Sequence, residues 1–188
     1  MSPRNLVLGV LVMLAALVSF TLFKRSEPTT SKLTMSIAAA SDLVACLDQL
    51  DAAFRAAHPD IYPRRTVGSS GTFSAQIANG APFDVFLSAD VAYPKALIAG
   101  GHAQAASLTP YARGRIVLWS TTAGCDVMQG LTVLTDPAVR KIAIANPAHA
   151  PYGRAAQAAL MAAGIWEVVQ PKLVFGDNIA QAAHFVQT

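Results

Sequence analysis

The stretch Met35-Ser-Ile-Ala-Ala-Ala-Ser41-Asp-Leu43 decides the fold. Met35, Ile37 and Ala39 alternate with smaller or more polar neighbours, as a half-buried strand does. Ser41 and Asp42 end that strand and open a helix, because a Ser side chain at an N-cap accepts a bond from an orphan backbone N–H. Leu43, Cys46, Leu47, Leu50 and Phe54 follow at helical spacing and give one apolar face. A helix start at the carboxyl end of a strand presents N–H groups and the positive end of the helix dipole, which favours an anion. The stretch therefore predicts a binding site for a small oxyanion.

The same strand–helix rhythm recurs downstream. The first helix ends at His58-Pro59, where proline forbids continuation. Val67-Gly-Ser-Ser-Gly-Thr-Phe-Ser-Ala-Gln-Ile77 reads as a turn feeding a short helix, closed at Asn79-Gly80. Phe83 to Ser88 reads as a buried strand, and Ala89-Asp90 cap a helix ending near Gly100-Gly101. Strands alternating with helices imply a parallel sheet with crossover helices. A second unit begins with Arg115–Ser120, and a loop through Gly124 to Gly130 leads to Leu131–Leu134, in the same strand–helix rhythm. Lys141–Ala145 is a further strand, followed by a loop over Asn146–Gly153 and a helix from Arg154 to Ala163. Leu173–Phe175 is the last strand, and Gly176-Asp-Asn178 caps a helix from Ile179. The fold class is α/β, with two lobes over 33–112 and 113–188, each a mainly parallel sheet flanked by helices. The last helix reaches Thr188 with no stop signal and no closing strand, so a missing C-terminal portion is expected.

Leu6 to Phe23 is an almost unbroken apolar run, with Arg4 before it and Lys24-Arg25 after it. Its length is close to the ~20 residues that span a bilayer. A cleaved secretory signal and an uncleaved signal-anchor both fit residues 1–26, since no A-x-A-like cleavage site is evident. No Cys directly follows the run to carry a lipid. Both readings export the body, which a polar linker over 27–32 joins to the leader.

The chain has 14 Lys and Arg against 11 Asp and Glu. Arg4, Lys24 and Arg25 account for the excess, so the body is formally neutral. No basic run with interleaved aromatics exists, and the pattern excludes nucleic acid as a partner. Cys46 falls on an apolar helix face and reads as a buried thiol, while export leaves a Cys46–Cys125 disulfide open. The four histidines lack metal-ligand spacing.

Three loop-to-helix junctions carry the chemistry: Ala40-Ser41, Ser69-Ser70-Gly71 and Asp177-Asn178-Ile179. The Pro151-Tyr152-Gly153 loop is a fourth. Each offers backbone N–H groups, and the first two add hydroxyls. None offers a Lys or Arg, which suits a dianion held by neutral dipoles in a dry cleft. Plain capping explains each junction alone; drawing the junctions from both lobes weakens that explanation without removing it. An anion at this point requires the Asp42 carboxylate to turn away. Gly68-Ser-Ser-Gly71 is one residue short of a nucleophile elbow, so a serine hydrolase is the weaker alternative.

Several motifs in order resemble one family. Ala38-Ala-Ala-Ser41, Gly68-Ser-Ser-Gly-Thr72, Gly80-Ala-Pro-Phe-Asp-Val-Phe-Leu-Ser-Ala-Asp90, Ile144-Ala-Asn-Pro-Ala-His-Ala-Pro-Tyr-Gly-Arg154 and Gly176-Asp-Asn-Ile-Ala-Gln-Ala182 are similar to the periplasmic molybdate-binding proteins of ABC importers. That resemblance implies a two-lobed periplasmic-binding-protein-like fold with a ligand cleft between the lobes. It implies a molybdate or tungstate ion, held by Ser41 and Ser70 through hydroxyl and backbone, and by Tyr152 and Ile179 through main-chain N–H groups. A metal enters only as the molybdenum of that oxyanion, and no cofactor is implied. The implied partner is the membrane permease of the importer, with membrane anchoring through residues 6–23 as an option. The implied state is a monomer without enzymatic activity, in the periplasm or at the extracytoplasmic face of the inner membrane. The family's last site tyrosine, and the return of its chain to the first lobe, would lie beyond Thr188. Sulfate or phosphate remains an alternative ligand, because the donors alone do not distinguish tetrahedral oxyanions.

Overall fold

The computed structural model describes residues 33–188; the leader and linker readings lie outside the described residues. Residues 33–188 hold together as one unit containing two separate parallel sheets. No helix among the described residues is long and apolar enough to cross a membrane.

The first sheet has the order β2-β1-β3, with β1 at Leu33–Ala40, β2 at Ile61–Gly68 and β3 at Val85–Leu87. Both pairings are parallel, and Ile37 lies opposite both Arg65 and Val85. Central strand β1 is buried along its second half, where Ala38 and Ala39 are fully enclosed. Small side chains there let helices lie close on both faces. Helix α1 (Val44–Ala57) crosses from β1 to β2, and helix α2 (Ser70–Ala78) from β2 to β3. Helix α3 (Ala92–Ala99) follows β3.

The second sheet pairs β4 (Ile142–Ala145) with β5 (Leu173–Gly176), again parallel. Helix α4 (Pro151–Ala162) and the short helix α5 (Trp166–Val169) connect them, and α6 (Ile179–Gln187) follows β5. Leu134, Ile142, Ile144, Leu160, Ile165 and Val169 form this lobe's core, a larger apolar cluster than the Ile37–Ala39–Leu47 group of the first lobe.

Three expectations change. Strand β2 has no counterpart in the sequence reading, because Pro63 and Arg64-Arg65 interrupt its apolar pattern. It is an edge strand, where a proline costs no ladder bond on its open side. Arg65 bridges it to Asp48 and Asp51 of α1 at 2.9 and 3.0 Å. Arg115–Ser120 is not a strand: no partner strand lies beside it among the described residues, and Val117 is 81% exposed. Leu131–Leu134 lies instead in a 3-10 segment over Val127–Thr135, kinked at Gly130 with φ 74°. Its C-terminal carbonyls are collected by Lys172 Nζ, which donates to Leu134 and Asp136 at 3.0 and 2.8 Å. Cys46 and Cys125 are free thiols, in line with the reading of Cys46 as an unpaired thiol, and both are half-buried.

The apolar face of α1 is narrower than its spacing suggests. Leu47 is 4% exposed and packs with Ile37 and Ala39, while Leu50 is 50% exposed. Leu47→Ala should therefore destabilise the fold by about 2–5 kcal/mol, the range for emptying a core site. Leu50→Ala should cost about 0.5 kcal/mol, as a surface change does. Urea unfolding midpoints of the two variants check this difference.

Candidate functional site

The carboxyl ends of β1, β2, β4 and β5 run into helical turns that face one another. Ser41 does not cap with its side chain: it is the first residue of a 3-10 turn over Ser41–Leu43, Ala40 is the cap, and α1 starts only at Val44. The Ser41 hydroxyl and the Ser41 N–H have no hydrogen-bond partner among the described residues. In α2 the cap is Ser69, whose Oγ accepts from Thr72 N–H at 3.3 Å. That leaves Ser70 at the first helical position, 1% exposed. Its Oγ accepts the Ala89 N–H at 2.9 Å, so its own proton is free to point into the cleft.

The second lobe supplies backbone. Helix α4 starts at Pro151, three residues earlier than the sequence reading, because proline has the φ of a helix and no N–H to lose at that position. Tyr152 thereby becomes a first-turn residue whose N–H has no partner among the described residues. Helix α6 opens at Ile179, with Asn178 as cap accepting from Gln181 N–H at 3.1 Å. The Ile179 N–H is likewise unpaired among the described residues.

Ser41, Ser70, Tyr152 and Ile179 line one narrow cleft of about 10 Å³, together with Asp42, Ser69, Ala89 and Asn178. Among the described residues no Lys, Arg or His lines it. First-turn N–H groups cannot be satisfied inside their own helices. A cleft that gathers them with two hydroxyls is a donor-rich, cation-free pocket, whose chemistry suits a compact oxyanion.

Asp42 is the one carboxylate on the wall among the described residues. Tyr152 Oη donates to its Oδ2 at 2.9 Å, so one carboxylate oxygen is engaged by a hydroxyl from the other lobe. Sequence alone gave no sign of this pair, 110 residues apart. The phenol of Tyr152 is pushed up to about 12, first by burial and then by its bond to the Asp42 carboxylate. Burial and the Asp42 charge push Tyr111 up to about 12 as well.

The lobes meet closely elsewhere. The His149 carbonyl accepts from Gly71 N–H at 3.0 Å, and Ser69 Oγ lies 3.0 Å from it and 3.1 Å from His149 Nδ1. A side chain at Gly71 would put its Cβ 2.3 Å from that carbonyl, and one at Gly153 would lie 2.1 Å from Ala145 O. These two glycines permit the close approach of α2 to the second lobe and of α4 to β4. The Ser69–His149 contact is no nucleophile–base pair: the Ser69 oxygen is committed as the α2 cap, and no carboxylate orients His149 among the described residues.

Residues 35–188 match the model of a family described as bacterial extracellular solute-binding protein. The chain belongs to that family. Among its relatives is the molybdate-binding protein ModA of Rhodobacter capsulatus, 44% identical over 121 residues that make up 64% of this chain and 47% of that protein. The ModA of Azotobacter vinelandii is 47% identical over 121 residues, 64% of this chain and 48% of that one. The chain thus spans about half the length of these curated relatives. The solved periplasmic molybdate-binding protein of Azotobacter vinelandii superposes with a TM-score of 0.75 at 36% identity, covering 81% of this chain and 66% of that one. Two parallel sheets facing a common cleft are thus the α/β, periplasmic-binding-protein-like architecture expected of this solute-binding family.

The raised phenol at Tyr152 has a readable consequence. The fold favours the neutral form, so this contribution to stability is complete below the ordinary tyrosine range near 10. It is lost as the pH climbs through about 12. Tyr152→Phe should remove one tyrosinate from the high-pH end of an absorbance titration at the tyrosinate band. The variant should also lose less stability than the wild type on moving from pH 10 to 12.

Proposed function

We propose that this chain captures molybdate or tungstate and delivers it to the membrane permease of an ABC importer, on the extracytoplasmic side. In this reading it works as a monomer, is exported by its apolar run over residues 6–23, cleaved or kept as an anchor, and needs no cofactor. The carrying observation is the cleft, where unpaired N–H groups of Ser41, Ser70, Tyr152 and Ile179 meet two serine hydroxyls with no cationic side chain on the wall. The relatives named as molybdate-binding proteins support the choice of oxyanion.

Neutral donors suffice for such an ion. A hydrogen bond to a charged acceptor is shorter and roughly twice as strong as a neutral one, and more so where water is excluded. Fixed donors also impose a size, since an anion too small to reach both lobes leaves buried N–H groups unpaired. Discrimination against sulfate and phosphate then rests on the span between the Ser41–Ser70 side and the Tyr152–Ile179 side.

Calorimetric titration of the chain with molybdate, tungstate, sulfate and phosphate tests the reading. Ser41→Ala and Ser70→Ala each remove a hydroxyl donor and keep the backbone one. A hydrogen bond to a charged partner contributes about 1.5–3 kcal/mol, so each change should weaken molybdate binding roughly 10- to 150-fold. The two differ in stability: Ser70→Ala also strands the Ala89 N–H and should lower the melting temperature, whereas Ser41→Ala should not. Unchanged molybdate affinity in both variants would sink the assignment.

A further inference from the structure

A cluster of side chains beside the cleft is used by none of the chemistry above. Arg154, one turn into α4, reaches across to the first lobe. Its Nη2 donates to Asp90 Oδ2 at 2.9 Å, its Nη1 donates to the Tyr93 hydroxyl, and its guanidinium carbon sits 5.0 Å from the Tyr93 ring centre. The Tyr93 hydroxyl in turn donates a hydrogen bond to the His149 carbonyl at 3.3 Å. Asp90 is held in place beforehand, because its other oxygen accepts the Ala92 N–H at 2.9 Å. One residue before it, Ala89 is bonded to Ser70 Oγ.

We infer that Arg154 is a positioning residue for cleft closure: by clasping Asp90 and Tyr93 it holds the Tyr152 amide of the second lobe in register with Ser70 of the first, and letting go of that clasp is the step that opens the cleft. The link is short at both ends. Arg154 lies two residues beyond Tyr152 on the same helix, and Asp90 lies one residue beyond the partner of Ser70. A rigid helix turn and a single peptide thus connect the clasp to both sets of donors. The pair itself is partly exposed, with side chains 41% and 33% accessible, so water can enter and break it without unfolding either lobe. An isolated exposed ion pair does little. Here a planar, two-pronged guanidinium joins a carboxylate to an aromatic hydroxyl that continues to a backbone carbonyl, and such forked, pre-oriented contacts lose less side-chain freedom on forming. Gly71 adds an independent sign that closeness at this point is built in, since a Cβ there would lie 2.7 Å from the Tyr93 hydroxyl.

The part of this inference that concerns ligand release rests on the oxyanion reading, and the experiment separates the two. Arg154→Gln, Asp90→Asn and the double variant are compared with the full wild-type chain. Stopped-flow release of bound molybdate reads the off-rate, and small-angle scattering of the ligand-free chain reads opening. Each single variant should release molybdate about tenfold faster with little change in association rate, and the double variant should be no faster than either single, because the two groups act as one contact. Arg154→Lys, which keeps charge but loses the fork, should fall between Gln and wild type. The ligand-free Arg154→Gln chain should be measurably larger in radius of gyration, at a melting temperature close to wild type. A wild type that binds no oxyanion, with the radius still rising in Arg154→Gln, would overturn the ligand reading and keep the clasp. Off-rates within twofold of wild type together with an unchanged radius, or singles that add in the double, would overturn the clasp.

Discussion

A helix cannot satisfy its own first N–H groups, and that constraint governs this molecule. Each parallel strand must be followed by a crossover, and each crossover helix begins where its strand ends. Parallel sheets therefore concentrate unpaired donors along one edge. Two such sheets set edge to edge double the concentration, and the cleft at Ser41, Ser70, Tyr152 and Ile179 is the result. Two caps, Ser69 and Asn178, absorb the third N–H of their helices and leave the first one free. Local capping and an open donor are thus compatible on the same turn.

Much of this was legible in the sequence because it is local. Ser41 and Ile179 announce themselves by a small polar residue between an apolar strand and an apolar helix, and Ser70 by a glycine-serine turn that feeds a helix. The buried half of β1, the Asn79-Gly80 stop and the β4–α4–β5–α6 order follow from the same kind of signal. The failures came where a partner decides the outcome. Arg115–Ser120 carries the continuous apolar run Ile116–Trp119 of a strand, but a strand needs a ladder beside it. β2 looks unlike a strand at Pro63 and Arg65, yet β1 supplies eight parallel partners and α1 supplies carboxylates for the arginine. Leu50 keeps helical spacing with Leu47 but is half exposed to water.

The contacts between the lobes were out of reach for the same reason. Asp42 and Tyr152, Asp90 and Arg154, Ser69 and His149 are separated by 110, 64 and 80 residues. Nothing in the neighbourhood of any of them hints at the other. Only Asp42 left a question in the sequence, since an acid at an anion-favouring turn has to be accounted for. The answer is a tyrosine from the opposite lobe, which occupies one oxygen of the carboxylate while its own amide faces the cleft. Glycine at 71 and 153 carried a signal too: neither residue is needed for a left-handed backbone, so each marks a place where another chain segment comes near.

The two lobes differ in how their donors are encoded. On the first, the hydroxyls of Ser41 and Ser70 are side-chain groups that a single nucleotide change can delete. On the second, Tyr152 and Ile179 offer amides that every residue except proline possesses. One wall of the cleft is therefore open to evolutionary tuning, and the other is nearly indifferent to which amino acid stands there. That indifference frees the side chains of the second wall for other work. At position 152 the side chain is a phenol that reaches back across the gap to the first lobe.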